Sequence, residues 1–363
     1  MPRSFGTLSL VDTLRSIDST NINEYGLDNL YADVDLLLQA HNAITADIYG
    51  EFGETTQDKI RRYGNTVGVA GFQELDEWGI ADAQKTSISG TDVGFPLRRF
   101  GRATQWTRLY FDTKTPADFI KETTQILIDD VLNIQTQMRR ALFTSTNNLT
   151  YIDRLDNKVT LPVRALLNAD GAAIPPDRYG NSFNGATHTH YLATASLVSA
   201  NVDAALDTLI EHNIDGGDRL FIYINRAQEA AFTALSGFLY YERSTIQRGG
   251  GYTGNVLTQG QRDDVTPDDV AIGMWDGYAE VWIKPWVPST YILFFVRSAE
   301  GVLTIRTPRF FDGSLRLAYD HEHHPLTANM WERFLGVGVW QRHKAAVLFT
   351  GGAAYANPTL SYP

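Results

Sequence analysis

Apolar residues recur at helical spacing in two long segments of the chain. The first segment covers residues 28–50, and Asp28 stands where a helix cap is expected. Its apolar positions are Leu30, Val34, Leu37, Leu38 and Ile44. This pattern predicts a helix that turns one face toward a core.

The second segment, residues 116–143, gives the clearest helical pattern in the sequence. Thr115 can cap the helix, Pro116 suits the first helical position, and Asp118 completes a capping box. The apolar stripe consists of Ile120, Leu127, Val131, Ile134, Met138 and Leu142. A helix of this length measures roughly 40 Å at about 1.5 Å per residue, which suits the backbone of a flat, elongated subunit.

Between these helices, residues 66–112 alternate β-type residues around a turn-rich middle, which predicts a long hairpin. We expect its outgoing strand over 95–111, with Trp106, Arg108 and Tyr110 on one face. Residues 1–27 have little periodicity and are interpreted as an extended arm that binds a neighbouring subunit, with a disordered tail as the alternative. Deleting them is then expected to impair assembly and to leave the subunit folded.

The rest of the chain predicts a compact α/β unit followed by strands. We expect a helix over 196–212, a buried strand over 220–224 and a second helix capped by Asn225. The later strands are expected near 279–284, 291–297, 301–306, 315–319, 335–340 and 345–349.

Composition narrows the class of protein. The chain has 363 residues, 43% of them hydrophobic, which is enough for a large core. It has no cysteine, so disulfides, thiolate zinc sites and cysteine nucleophiles are excluded. No apolar run is long enough to span a membrane, and the N-terminus lacks the apolar core of a signal peptide, so we expect the protein in a cytoplasm.

The formal net charge of -11 argues against a dedicated nucleic-acid binder, although it is compatible with a wall around DNA. Against this background, the predicted strand over 95–111 is basic. Its candidate contacts with a neighbouring subunit are Arg98, Arg99, Arg102, Trp106 and Arg108. An ordinary solvated strand face is the alternative interpretation.

No constellation of residues predicts catalysis, a cofactor or a metal site. The segment Asp320-His-Glu-His-His324 carries metal-ligand residue types, but an exposed polar turn or an interface contact is the expected role. His188 and His190 could pair as metal ligands, but two solvated loop histidines are expected, and His212 is expected to complement a helix dipole. The glycines at 249–254 lack the lysine and hydroxyl of a phosphate-binding loop.

Two C-terminal segments carry a resemblance to a known family. One is Gly277-Tyr-Ala-Glu-Val-Trp-Ile-Lys-Pro-Trp-Val-Pro288 with the strand that begins at Tyr291. The other is Phe334-Leu-Gly-Val-Gly-Val-Trp-Gln-Arg342 followed by Ala345-Ala-Val-Leu348. With the order of elements, these segments resemble the major capsid proteins of tailed bacteriophages with the Hong Kong 97-type fold.

The resemblance implies an α+β chain divided into five regions. The regions are an N-terminal arm and helix (1–50), an extended hairpin loop region (51–114), a spine helix with the first part of a peripheral domain (115–185), an axial domain (186–306) and a return to the peripheral domain (307–363). It also implies a non-enzymatic shell protein that forms pentamers and hexamers around double-stranded DNA. The virion capsid would be assembled in the host cytoplasm and would need no cofactor.

Further partners follow from the same resemblance. The arm is expected to lack the long scaffolding segment of some family members, so a separate scaffolding protein is expected, together with a portal and a decoration protein. Lys85 is the only lysine of the predicted hairpin loop, and no covalent crosslink is assigned to it. The alternatives are an encapsulin-like nanocompartment shell and, more remotely, a metal-dependent hydrolase that uses residues 320–324.

Overall fold

The computed structural model describes residues 21–66, 74–75, 77–79, 89–155, 158–177, 181–212, 218–241, 269–298, 300–323 and 326–360, with only the backbone at 65, 66, 89, 319–323 and 326. The helices in this part of the chain are α1 (Ile22–Tyr25), α2 (Leu27–Phe52), α3 (Arg108–Thr113), α4 (Pro116–Phe143), α5 (Ser199–Ile210) and α6 (Glu229–Thr233). None of these helices is long and apolar enough to cross a membrane.

The strands occur in runs between and after these helices. They are β1 (Gly53–Thr56), β2 (Ile60–Thr66), β3 (Ser89–Gly94), β4 (Arg98–Thr107), β5 (Asn148–Asp153), β6 (Val159–Val163), β7 (Tyr191–Ala193), β8 (Arg219–Ile224), β9 (Phe238–Tyr240), β10 (Val270–Trp275), β11 (Ala279–Ile283), β12 (Tyr291–Arg297), β13 (Leu303–Arg306), β14 (Arg316–His323), β15 (Leu326–Val339) and β16 (Ala345–Phe349). The prediction of an α+β chain is confirmed.

The long helix α4 begins and ends where the sequence predicts. The Thr115 side chain accepts a hydrogen bond from the Asp118 backbone N–H, and the Asp118 carboxylate accepts one from the Thr115 N–H, so the capping box forms. The helix α2 also forms, but its cap is Gly26, and Asp28 lies in the first turn instead. The expectation that Asp28 caps this helix is therefore wrong.

A seven-stranded sheet has the order β7-β16-β12-β8-β11-β10-β9. Its central strand β8 pairs in parallel with β11 and antiparallel with β12. These two flanking strands belong to the first of the two segments that resemble the family, and β8 separates them in the sheet. Both faces of the sheet are covered, which explains the continuous apolar run of residues 220–224.

The two faces of this sheet belong to different core clusters. Phe221 and Tyr223 point toward the C-terminal half of α4 and toward β13 and β15. Leu220 and Ile222 point the opposite way, toward α5, as alternation along a strand requires. The residues of α5 in this second cluster are Val202, Ala205, Leu206 and Leu209.

A second sheet has the order β1-β13-β15-β14, and β4 also pairs with β15. Strand β15 is 14 residues long and connects β4, β13 and β14 through antiparallel pairing with each of them. Its residue Trp331 belongs to a third core cluster, together with Ile22, Leu30 and Phe119 of the N-terminal helices.

The sheets do not follow the predicted boundaries between regions. Strand β16 lies in the same sheet as β8 and β12, although the sequence assigns residues 307–363 to a different region from 186–306. Strand β13 pairs in the other sheet with β1 and β15. The boundary at residue 50 also falls inside α2.

Candidate functional site

The basic segment predicted to contact a neighbour lies inside a sheet of its own subunit. Strand β4 pairs with β15 from Arg98 opposite Leu335 to Thr107 opposite Leu326. Strands β2 and β3 form the antiparallel pair of a hairpin, and residues 67–73 and 80–88, which include Lys85, lie outside the described residues. The outgoing strand of the hairpin is therefore β3, and its predicted extent over 95–111 is wrong.

Two of the candidate arginines form ion pairs within the subunit. Arg99 Nη2 lies 2.5 Å from Glu332 Oε2, and Arg316 lies equally close to the other oxygen of that buried carboxylate. Burial opposes the ionisation of Glu332, but the hydrogen bonds and charges of these arginines outweigh it and lower its pKa. Arg102 pairs with Asp129 on the exposed side of α4. The side chains of Arg99 and Arg102 are each about half exposed.

The other three candidates have different surroundings. Arg98 donates to Gln137 Oε1 at 3.3 Å and lies over the Tyr151 ring. Arg108 is exposed at the start of α3, and no ion pair joins it to another residue in the described ranges. Of the four candidate arginines, Arg108 therefore has the fewest contacts to its charged group within the described residues.

Trp106 is not available to a neighbouring subunit. It is 5% exposed, its indole Nε1 donates to Glu122 Oε2 at 2.7 Å, and its ring packs 4.8 Å from that of Phe119. The expectation that Trp106 contacts another subunit does not agree with this burial. The strand ends at Thr107, whose side chain accepts from the Tyr110 N–H, so residues 108–111 are helical instead of extended.

Exposed apolar side chains form a stripe on α2, and one of them is Ile44, so the prediction that Ile44 faces the core is wrong. Leu36 is 57% exposed and Ile44 is 53% exposed, although a helix usually turns such residues inward. Ala32 and Ala40 are exposed at the intervening four-residue steps. Contiguous exposed apolar surface of this kind is typical of an interaction face.

The two histidines expected in a solvated loop belong to a buried cluster with His212. The Nε2 atoms of His188, His190 and His212 lie 3.0–3.1 Å from one another. His190 is 0% exposed and the other two are partly buried. The expectation of two solvated histidines is therefore wrong. His212 does follow the end of α5, as expected, but its ring belongs to this cluster.

Burial controls the charge of this cluster. Desolvation, and then the neighbouring His212, lower the pKa of His190 well below its ordinary value. Burial and His188 lower the pKa of His212 to about 3, and burial lowers the pKa of His188. All three shifts favour the neutral imidazole, and this is the state in which histidine binds metals.

The backbone of residues 320–323 pairs with β15, with Asp320 opposite Asn329 and His323 opposite Leu326. The side chains of the candidate metal segment Asp320–His324 lie outside the described part of the chain, as do the glycines at 249–254.

Comparison with solved structures shows which known protein has the same fold as this chain. No family model and no curated protein sequence matches this chain. A solved structure from Mycobacterium phage Patience matches 92% of this chain and 91% of its own, with 18% sequence identity and a TM-score of 0.67. The chain shares its fold with this phage protein.

Two more distant resemblances have lower TM-scores. The capsid of the cyanophage P-SCSP1u covers 84% of this chain and 87% of its own, with 9% identity and a TM-score of 0.45. The SrpI encapsulin of Synechococcus elongatus PCC 7942 covers 86% of this chain and 89% of its own, with 14% identity and a TM-score of 0.42.

Proposed function

We propose that this chain is the major capsid protein of a tailed bacteriophage, which assembles as pentamers and hexamers into an icosahedral shell around double-stranded DNA. The observation that carries the proposal is the fold shared with the phage Patience protein over nine-tenths of both chains. The order of arm, loop, long helix and α/β unit along the sequence supports the same assignment. The role is structural and involves no catalysis.

Within this proposal, the Hong Kong 97-type regions correspond to particular elements. The helix α4 is the spine, and the seven-stranded sheet with α5 is the axial domain. The five-stranded sheet around β15, which packs on α2 and α4, is the peripheral domain. The hairpin of β2 and β3 is the base of the extended loop.

The surface of the subunit supports self-association. The stripe with Leu36 and Ile44 on α2 is exposed, and so are Ile128 and Leu132, one turn apart on α4. Phe310 is also exposed. Burying such side chains against further copies stabilises an assembly by roughly 25 cal/mol for each Å² of apolar surface. Arg98, Arg99, Arg102 and Arg108 add a basic edge that can bind an acidic neighbour.

Expression of the full chain with its scaffolding protein, followed by negative-stain electron microscopy, tests the assembly. Closed hollow particles of uniform diameter, with fivefold and sixfold capsomers in averaged images, are the expected result. A chain that stays monomeric under these conditions contradicts the proposal.

A separate measurement distinguishes a phage head from an encapsulin-like shell. Particles purified from a phage lysate should contain nuclease-protected double-stranded DNA, and portal and terminase genes should neighbour the gene. Particles that hold an enzyme cargo and no DNA would assign the chain to the nanocompartment alternative. The proposal includes a portal and a decoration protein as partners, and assembly in the host cytoplasm. These parts follow from the resemblance to tailed-phage capsid proteins.

A further inference from the structure

We propose that His188, His190 and His212 bind one divalent transition-metal ion of the zinc class. The three side chains come from two separate segments, the approach to β7 and the end of α5. Their Nε2 atoms converge on one point from these segments. This inference does not depend on the proposed shell function.

A backbone carbonyl determines the tautomer of the buried member. His190 Nδ1 lies 2.7 Å from the carbonyl oxygen of Ala345 at the start of β16. A carbonyl only accepts, so Nδ1 carries the proton and the Nε2 of neutral His190 presents a lone pair to the cluster. Histidines that bind metals are usually held in this way, with the second ring nitrogen donating to a carbonyl or carboxylate.

Hydrogen bonds alone cannot satisfy the three nitrogens. Each Nε2 is either a donor or an acceptor, and each lies within 3.1 Å of the other two. Among three such atoms, at least one pair must be two donors or two acceptors facing each other. Such a contact is unfavourable in a buried site, where an unmade hydrogen bond costs about 1–3 kcal/mol. A cation bound to three lone pairs removes this conflict.

The spacing of the nitrogens suits a tetrahedral ion. Zinc binds imidazole nitrogen at about 2.0–2.1 Å, and this places the ligand atoms of a tetrahedral site about 3.3 Å apart. The observed separations of 3.0–3.1 Å are within about 0.3 Å of that value. Small movements of the half-buried His188 and His212 would complete the geometry.

The surroundings can supply a fourth ligand and a route for the ion. Glu211 Oε1 lies 3.5 Å from His188 Nε2, and its half-exposed carboxylate can bind the ion directly or through a water molecule. His212 also lines a polar cleft of about 480 Å³ shared with Asp218 and Glu300. On the other side, the Phe183 ring lies 4.4 Å from that of His212 and shields the cluster.

Such an ion would act as a staple in a chain without cysteine. It would link the segment before β7 to the end of α5, and His190 would extend the link to β16 through Ala345. These elements lie on the seven-stranded sheet and on the helix that covers it, so the ion would hold α5 in place. Ligands that are brought together only in the folded chain make metal binding contribute to folding stability.

Metal analysis of the full chain, expressed without a polyhistidine tag, tests the site. After equilibration with Zn²⁺ and removal of free ion, mass spectrometry should detect one zinc per subunit, and Co²⁺ in its place should give the visible bands of a tetrahedral site. His188→Gln and His212→Gln should each weaken zinc binding at least about 100-fold, because they remove a ligand and not merely a residue that orients one.

The double variant His321→Ala/His323→Ala is the matched control, because it removes two histidines from the other candidate segment of the sequence. It should keep its zinc and the cobalt spectrum. Far-ultraviolet circular dichroism verifies the fold of each variant, and His188→Gln is informative even where changes at buried His190 prevent folding. Absence of stoichiometric zinc in the wild type, or zinc lost only from the control variant, overturns the proposal.

Discussion

At the scale of single residues, buried charge connects segments that are far apart in the sequence. Arg333 on β15 is 1% exposed, and its guanidinium donates to Asp130 on α4, to the Tyr49 hydroxyl and to the Gly313 carbonyl. Asp130 also lies 2.8 Å from His41 Nε2 on α2. One carboxylate therefore connects both long helices to the central strand of the second sheet.

Asp130→Ala should lower the free energy of unfolding by about 3–5 kcal/mol, because it leaves the buried Arg333 without its charged partner. Asp129→Ala is the control at the preceding position, and it removes the half-exposed pair with Arg102 and an exposed hydrogen bond from Gln125, so about 1 kcal/mol or less is expected. Denaturant unfolding at matched protein concentrations measures both losses. Equal losses would contradict the role given to Asp130.

At the scale of elements, β15 carries glycines where other chain segments approach its backbone. A Cβ at Gly336 would lie 1.9 Å from the Pro96 carbonyl oxygen, in the segment that leads into β4. Neither backbone can move without disturbing the pairing of β4 and β13 with β15. This approach explains the glycine at 336, and the Phe95 ring, 2.7 Å from a Cβ at 338, explains the second glycine.

Gly336→Ala should destabilise the protein by about 1–3 kcal/mol or more through this overlap. Gly50→Ala is expected to have the opposite sign, since a Cβ at Gly50 meets nothing within 4 Å and the residue lies inside α2. A gain of about 0.5–1 kcal/mol follows from the higher helix propensity of alanine. Thermal unfolding of both variants measures whether each change in stability has the expected sign. A stabilising Gly336→Ala would contradict the close approach of the Pro96 carbonyl to β15.

At the scale of the whole molecule, the N-terminal segment has two parts with different roles. Residues 1–20 lie outside the described residues, whereas Ile22 is fully buried and its N–H donates to the Lys114 carbonyl beside α4. Asn21 caps α1 with a complete capping box. The expectation that deletion of residues 1–27 leaves the subunit intact is therefore corrected, because that deletion removes part of the core.

Deletion of residues 2–20 should leave the unfolding midpoint of the subunit unchanged and reduce particle yield. Deletion of residues 2–27 should also cost about 2–5 kcal/mol of stability, because it removes buried Ile22. Unfolding measurements and sedimentation of particles separate the two effects. Normal particles from the shorter deletion would refute an assembly role for this arm.

The exposed charge of Arg108 gives a second prediction at this scale. Arg108→Glu should reduce the fraction of chains found in particles several-fold, while an acidic residue in the first turn of α3 leaves the fold undisturbed. Lys121→Glu makes the same change in net charge at a 71% exposed side chain on α4 and should assemble normally. Equal loss of particles in both variants would indicate a general effect of net charge.

Local patterns in the sequence determined several elements, although they misplaced the cap of α2 and the strand over 95–111. The start and end of α4, the buried strand β8 and the cap at Asn225 follow from periodicity and capping chemistry, which involve residues within a few positions of one another. The α+β class and the order of elements follow from the same local rules. Shell assembly remains a prediction that the shared phage fold supports.

Only the tertiary structure decided which elements meet. Strand β4 pairs with β15, and Asp130 binds Arg333, across more than two hundred positions of sequence. Trp106 is buried by residues of other elements. No local pattern encodes these contacts. The three histidines illustrate the same limit, since His212 is separated from His190 by the whole of α5. The sequence shows a close pair of histidines and a third one far along the chain, whereas folding places the Nε2 atoms of all three around one point.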